Sequence, residues 1–226
     1  MKKIGIIGGL GPQSTELFYH EFIRLCQTRK KVEYPSILIN SVNLWQFVRL
    51  LNDKKSLINF VKNEIAKIQD YVDFIAIPCN TIHFIIDEIR EFSKVPVIAI
   101  HEEVVKEISK SKIKKVGILG TKTTVYNNFY QKELRKNNID FEILSKDEEE
   151  KLNSLIFDKM LHGKDYEKMH KLLVKDIKIL KNKGCEGIIL ACTELPLFIK
   201  QEEVDVKLFE STNILCKSVF EKVFNN

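Results

Sequence analysis

The chain has 226 residues, 44% hydrophobic and 30% charged, enough apolar material to close a core without disulfide or metal staples. Its formal charge of +5 is spread over dispersed lysines (31 Lys against 5 Arg), a mildly cationic surface with no nucleic-acid arm. No run approaches the ~20 apolar residues of a membrane span, and the opening MKKIGIIGG lacks the length and cleavage site of a signal peptide.

Five cysteines, Cys26, Cys79, Cys185, Cys192 and Cys216, include no CxxC pair, which argues against a disulfide framework or a zinc site and for a reducing cytoplasm. Short β-branched runs alternate with longer amphipathic segments, the pattern of a parallel α/β fold. Lys3–Ile7 is the first predicted strand, followed by the turn Gly8-Gly9-Leu10-Gly11-Pro12. Ser14 or Thr15 is expected to cap a helix carrying Leu17, Phe18, Phe22 and Leu25 at helical spacing. Pro35 introduces a second strand, Ser36–Val42, and a helix is expected around Leu57–Tyr71. Val72–Ile77 reads as a buried strand ending in Pro78-Cys79-Asn80-Thr81; a helix to Phe92 and a strand Val95–Ile100 follow.

The pattern then restarts. Lys115–Leu119 is a strand, Thr121–Asn137 a helix and Phe141–Leu144 a short strand, before helices over Glu148–Leu161 and Tyr166–Lys183. The acidic run Asp147–Glu150 reads as a solvated helix start. Gly187–Ala191 is a buried strand ending in Cys192-Thr193-Glu194, and Val206–Phe209 with the helix Ser211–Phe224 completes the chain.

These segments form an internal repeat. Lys2-Lys3-Ile4-Gly5-Ile6-Ile7-Gly8 is echoed by Lys114-Lys115-Val116-Gly117-Ile118-Leu119-Gly120, and Asp73–Thr81 by Glu186–Thr193. Gly5 lies 74 positions before Cys79, and Gly117 lies 75 before Cys192. The expected architecture is two pseudo-symmetric α/β domains, each a parallel sheet flanked by helices. The first spans residues 1–102 plus 206–226, with the last strand and helix returning to it; the second spans residues 103–205.

Ligands of open α/β sheets gather at the carboxyl ends of the strands, where both Cys79 and Cys192 fall. Each is expected to begin a helix, whose free N–H groups favour a thiolate or a substrate carboxylate. Asn80, Thr81 and Thr193 could share that carboxylate. Two thiols on opposite faces of a carbon stereocentre supply what inversion needs: one removes a proton and the other returns one.

Three stretches, Gly8-Gly9-Leu10-Gly11-Pro12-Gln13-Ser14-Thr15, Pro78-Cys79-Asn80-Thr81-Ile82-His83 and Ala191-Cys192-Thr193-Glu194, resemble the motifs of the aspartate/glutamate racemase superfamily. The likeness is to its aspartate racemase branch and runs over almost the whole chain. It implies an active site at the domain interface, no cofactor (pyridoxal phosphate included), an amino-acid substrate and frequent dimerisation. On this resemblance Cys79 and Cys192 match the catalytic thiols, and Asn80, Thr81, Thr193 and Glu194 the substrate-contacting residues beside them. Gln13 is a further polar candidate, from the glycine-rich loop. The family's Asp-Arg-Thr segment, whose Arg holds the distal carboxylate, is replaced by Asn43-Leu44-Trp45-Gln46-Phe47-Val48-Arg49, leaving Arg49 as a displaced candidate. A family lysine of the later helical region has no clear match, although Lys164 lies close.

Other readings stand beside these. Trp45 and Phe47 are core residues or the wall of the distal pocket. His83 is a tuner of the thiol or a partly exposed helix residue, and neither it nor His101 has metal-ligand spacing. The glycine loop fails as a dinucleotide motif, because Ser14 holds the last position and no acidic residue ends the second strand. Hydantoin racemases and maleate isomerases use the same paired cysteines. A glutamate racemase would open on an Asp-Ser-Gly-type motif, which is absent. A non-catalytic amino-acid-binding module should bind without either thiol, and a cysteine hydrolase would need only one of the two.

Overall fold

The computed structural model describes residues 1–162 and 166–224. Lys164 lies outside the described residues. The chain divides into two compact units, Met1–Glu103 with Thr212–Asn226, and Val104–Ser211.

The first unit opens with β1 (Ile4–Gly8), α1 (Pro12–Gln27) and β2 (Ile37–Ser41). Helices α2 (Leu44–Leu50) and α3 (Lys54–Ala66) follow, then the three-residue strand β3 (Phe74–Ala76). After a 3-10 turn over Thr81–Ile85 come α4 (Ile86–Phe92), β4 (Val97–Ile98) and the start of α5 (Ile100–Lys110). Helix α5 went unpredicted: the apolar run read as a strand to Ile100 ends at Ile98, and the chain turns helical at Ile100.

The second unit contains β5 (Lys115–Gly120), α6 (Lys122–Tyr126), α7 (Phe129–Lys136) and β6 (Asp140–Glu142). The single helix expected over Thr121–Asn137 is broken at Asn128, which adopts a left-handed φ of 61°. Helices α8 (Lys146–His162) and α9 (Tyr166–Asn182) lead to β7 (Gly187–Ala191) and β8 (Lys207–Glu210). Helix α10 (Ser211–Phe224) closes the chain.

Each unit holds one four-stranded parallel sheet. Their orders, β2-β1-β3-β4 and β6-β5-β7-β8, are the same permutation, so the repeat in sequence is a repeat in topology. Strand β8 corrects the sequence reading: it pairs with β7 through Ile188↔Leu208 and Ile189↔Phe209, completing the second sheet instead of returning to the first. Only α10 returns. Its Leu215, Cys216 and Val219 pack with Phe18 and Phe22 of α1 over Ile4, Ile6, Phe74 and Ala76. The opposite face of the first sheet, Ile7 and Ile75, is covered by Leu57, Val61 and Ile65 of α3. That alternation is the period-two pleat of a doubly covered parallel strand.

Gly5 and Gly117 hold equivalent places in the two central strands. An added Cβ would come within 2.9 Å of Val72 at the first and 2.7 Å of Leu180 at the second, so each glycine lets neighbouring side chains close onto the sheet. Gly9 has φ +81°, and an added Cβ would lie 2.2 Å from the Val42 carbonyl oxygen. The loop between β1 and α1 therefore needs glycine on two counts. Among the described residues no helix is long and apolar enough to cross a membrane.

Candidate active site

In the first unit, Ile77 and Pro78 carry the chain from the end of β3 to Cys79, which is 5% exposed; Asn80 beside it is 2% exposed. Thr81 begins the 3-10 turn and is half-buried. His83 lies within that turn, fully buried. Its Nδ1 is 2.8 Å from the Cys79 carbonyl oxygen, and its Nε2 accepts a 3.2 Å hydrogen bond from the Ile100 N–H. The His101 ring meets it edge-on at 5.7 Å. Burial above all, with His101 second, depresses the His83 imidazole to about 3, so the ring is neutral at physiological pH. His83 is thus neither exposed nor a titrating partner for the thiol.

Gln13 lies in the first turn of α1 and is exposed. That helix begins at Pro12 with Gly11 as its N-cap, so Ser14 and Thr15 do not cap it as expected. Thr15 instead accepts a 2.9 Å bond from the Gly9 N–H and ties down the glycine loop. Arg49 is exposed in the last turn of α2, Trp45 is 40% exposed, and Phe47 is a core residue.

In the second unit Cys192 follows the last residue of β7 and is buried, as are Thr193 and Glu194. The Cys192 thiol donates to Glu194 Oε2 at 3.0 Å, and the Thr193 hydroxyl donates to the same oxygen at 3.1 Å. A carboxylate is thus aimed at the sulfur, and a neighbouring hydroxyl holds it there. The segments after the two cysteines differ from expectation. Cys79 leads into a 3-10 turn before α4, and Cys192 into the three-residue 3-10 turn Leu195–Leu197, so neither cysteine directly begins an α-helix.

Two groups of polar residues escaped the sequence reading. Thr121 and Thr124 are buried at the carboxyl end of β5, their hydroxyls 3.0 Å apart. The register Gly120↔Ala191 sets Thr121 one step beyond β5 just as Cys192 stands one step beyond β7. The aligned repeat Gly8/Gly120 carried that signal. Glu149 of α8 and Asp176 of α9, by contrast, are buried carboxyls whose oxygens have no hydrogen-bond partner. Glu149 corrects the view of Asp147–Glu150 as a wholly solvated run. Among the described residues no group of three or more His, Cys, Asp or Glu side chains could hold a metal ion.

The Asp/Glu/hydantoin racemase family profile matches residues 7–219. The broad specificity amino-acid racemase RacX of Bacillus subtilis (strain 168) is 30% identical over 223 residues, 95% of each chain. The crystal structure of an aspartate racemase homologue from Pyrococcus horikoshii OT3 superposes with a TM-score of 0.84 at 33% identity, covering 98% of this chain and 99% of that one. Glutamate racemase from Aquifex pyrophilus superposes less closely, with a TM-score of 0.67 at 25% identity, covering 97% and 83%. With the fold, the repeated sheet order and the matched span in agreement, the chain belongs to the Asp/Glu/hydantoin racemase family.

Proposed function

We propose that this protein is a cofactor-independent amino-acid racemase acting on aspartate, in which Cys79 and Cys192 serve opposite faces of the substrate α-carbon. One thiolate takes the α-proton, leaving the electron pair on the α-carbon in conjugation with the carboxylate. The other thiol then delivers its proton to the opposite face. The first sulfur ends as a thiol and the second as a thiolate, ready for the reverse turnover. The observation that carries this reading is the Cys192–Glu194 contact: a buried thiol at a strand end with a carboxylate held 3.0 Å away. Such a carboxylate can share the proton as the sulfur passes between acid and base.

In this reading Asn80, Thr81, Thr193 and Gln13 hold the substrate's polar groups, with Thr121 and Thr124 added to them. Hydrogen-bond donors of this kind stabilise the dianion formed when the α-proton leaves. Arg49 is assigned to the distal carboxylate. Aspartate is favoured by the 33% identity to the Pyrococcus aspartate racemase homologue; the broad specificity of the Bacillus relative makes other amino acids the natural comparison. A homodimer belongs to the same reading, and the exposed Leu38 and Ile39 on β2 are apolar surface it could cover.

The test is to incubate the purified protein, reduced and without added cofactor, with single enantiomers of a panel of amino acids, following optical rotation. Aspartate should lose its rotation. Racemisation confined to glutamate or to an apolar amino acid would reassign Arg49. No racemisation of any member would overturn the proposal and turn attention to hydantoins and maleate.

A further inference from the structure

We infer that His83 is a positioning residue for the Cys79 thiol, acting as a neutral imidazole whose single proton sits on Nδ1. The inference rests on the racemase reading of Cys79, but its geometry stands independently. A backbone N–H can only donate, so the Ile100 N–H requires a lone pair on His83 Nε2. A neutral ring carries one proton, which must then be on Nδ1, and Nδ1 donates it to the Cys79 carbonyl oxygen at 2.8 Å.

The ring therefore does two jobs. It satisfies Ile100, the first residue of α5, whose N–H has no partner within the helix. It also pins the peptide plane that leaves Cys79, and with it the direction in which the Cα–Cβ bond carries the sulfur. The surroundings on balance favour this state. Burial first, then His101 and more weakly Arg90, act against a second proton on His83 and outweigh the backbone of Cys79 and of Ile98, which favour one; Glu102, which faces the pair, is bound to Arg90 at 2.6 Å. A protonated ring would point an N–H at the Ile100 N–H and push α5 off its brace. His83 thus holds Cys79 through a fixed tautomer and exchanges no proton with it.

The experiment uses the full chain, with His83→Phe to keep volume without nitrogen and His83→Asn to return an N–H near the Nδ1 position. Because misplacing a reacting group by about 1 Å costs about 10²-fold, kcat for racemisation by His83→Phe should fall by about that factor with KM within about twofold. His83→Asn should regain about tenfold of the loss, and neither variant should move the limbs of the pH–rate profile. Two readouts do not depend on racemisation. The wild-type imidazole nitrogens should show the Nδ1–H form by NMR from about pH 5 to pH 9. Alkylation by iodoacetamide, mapped by peptide mass, should change several-fold at Cys79 in His83→Phe and stay constant at Cys192. An imidazolium or Nε2–H ring in that range, or unchanged Cys79 alkylation, would overturn the inference. A protein that racemises nothing but passes both readouts would overturn the racemase reading and keep the brace.

Discussion

One oxygen of Glu194 receives both the Cys192 thiol and the Thr193 hydroxyl, so three consecutive residues are joined through a single carboxylate at the end of β7. On the proposed mechanism this carboxylate eases the passage of Cys192 between thiol and thiolate. Glu194→Gln keeps the shape and removes the charge. Steady-state racemisation should show kcat reduced by about 10- to 100-fold with a smaller change in KM. Unchanged kcat would leave the carboxylate without a part in proton transfer. The duplicated strand end singles out the two cysteines in the sequence, and Glu194 comes to notice there only through the family resemblance. His83 is not, because its state depends on Ile100, seventeen positions away, whose N–H reaches the ring only after β4 and α5 have formed.

Helices α8 and α9 carry a strained feature of their own. Glu149 lies on the stripe with Leu152 and Ile156, and Asp176 on that with Met169, Leu173, Ile177 and Leu180; all are buried. Burial raises both carboxyls to about 7. Asp176 adds to the effect on Glu149 and Glu148 to that on Asp176, while the Leu144 backbone and Lys122 beside Glu149, and Lys175 and Lys151 beside Asp176, offset the rise only in part. In the unfolded chain such groups titrate near ~4. Between about pH 4 and pH 7 the folded protein therefore keeps protons that the unfolded chain has released, and stability falls as pH rises. The slope is about 1.4 kcal/mol per pH unit for each proton. Glu149→Gln and Asp176→Asn should raise Tm at pH 8 by about 2–4 °C for each kcal/mol recovered, with a much smaller effect at pH 5. Equal shifts at both pH values in thermal melts would contradict the shared burial penalty. The spacing Glu149–Leu152–Ile156 held this signal, but a run of four acidic residues reads as solvated when only composition is weighed. Strand β8 shows a different limit. Its apolar residues announce a strand, but its partner is decided by the edge of β7 left open to it.

Across the whole chain, two sheets of identical strand order place Cys79 and Cys192 at corresponding strand ends, with α10 alone carried back to the first unit. The repeat made this organisation readable, since strands built on the same glycine and β-branched pattern bury the same faces. The 3-10 turns after the two cysteines, the break at Asn128 and helix α5 were not readable, because they depend on local backbone states and on packing that single segments do not encode. The central claim is that each thiol serves one face of the α-carbon, and deuterium exchange by single-thiol variants tests it most directly. Cys79→Ala and Cys192→Ala, each incubated in D2O with L- and with D-aspartate and followed by NMR, should both lose racemisation by at least about 10³-fold. Each should still carry deuterium into the α-position of one enantiomer, with the opposite choice in the two variants. Racemisation by either variant at the wild-type rate, or exchange of the same enantiomer by both, would contradict the two-thiol account.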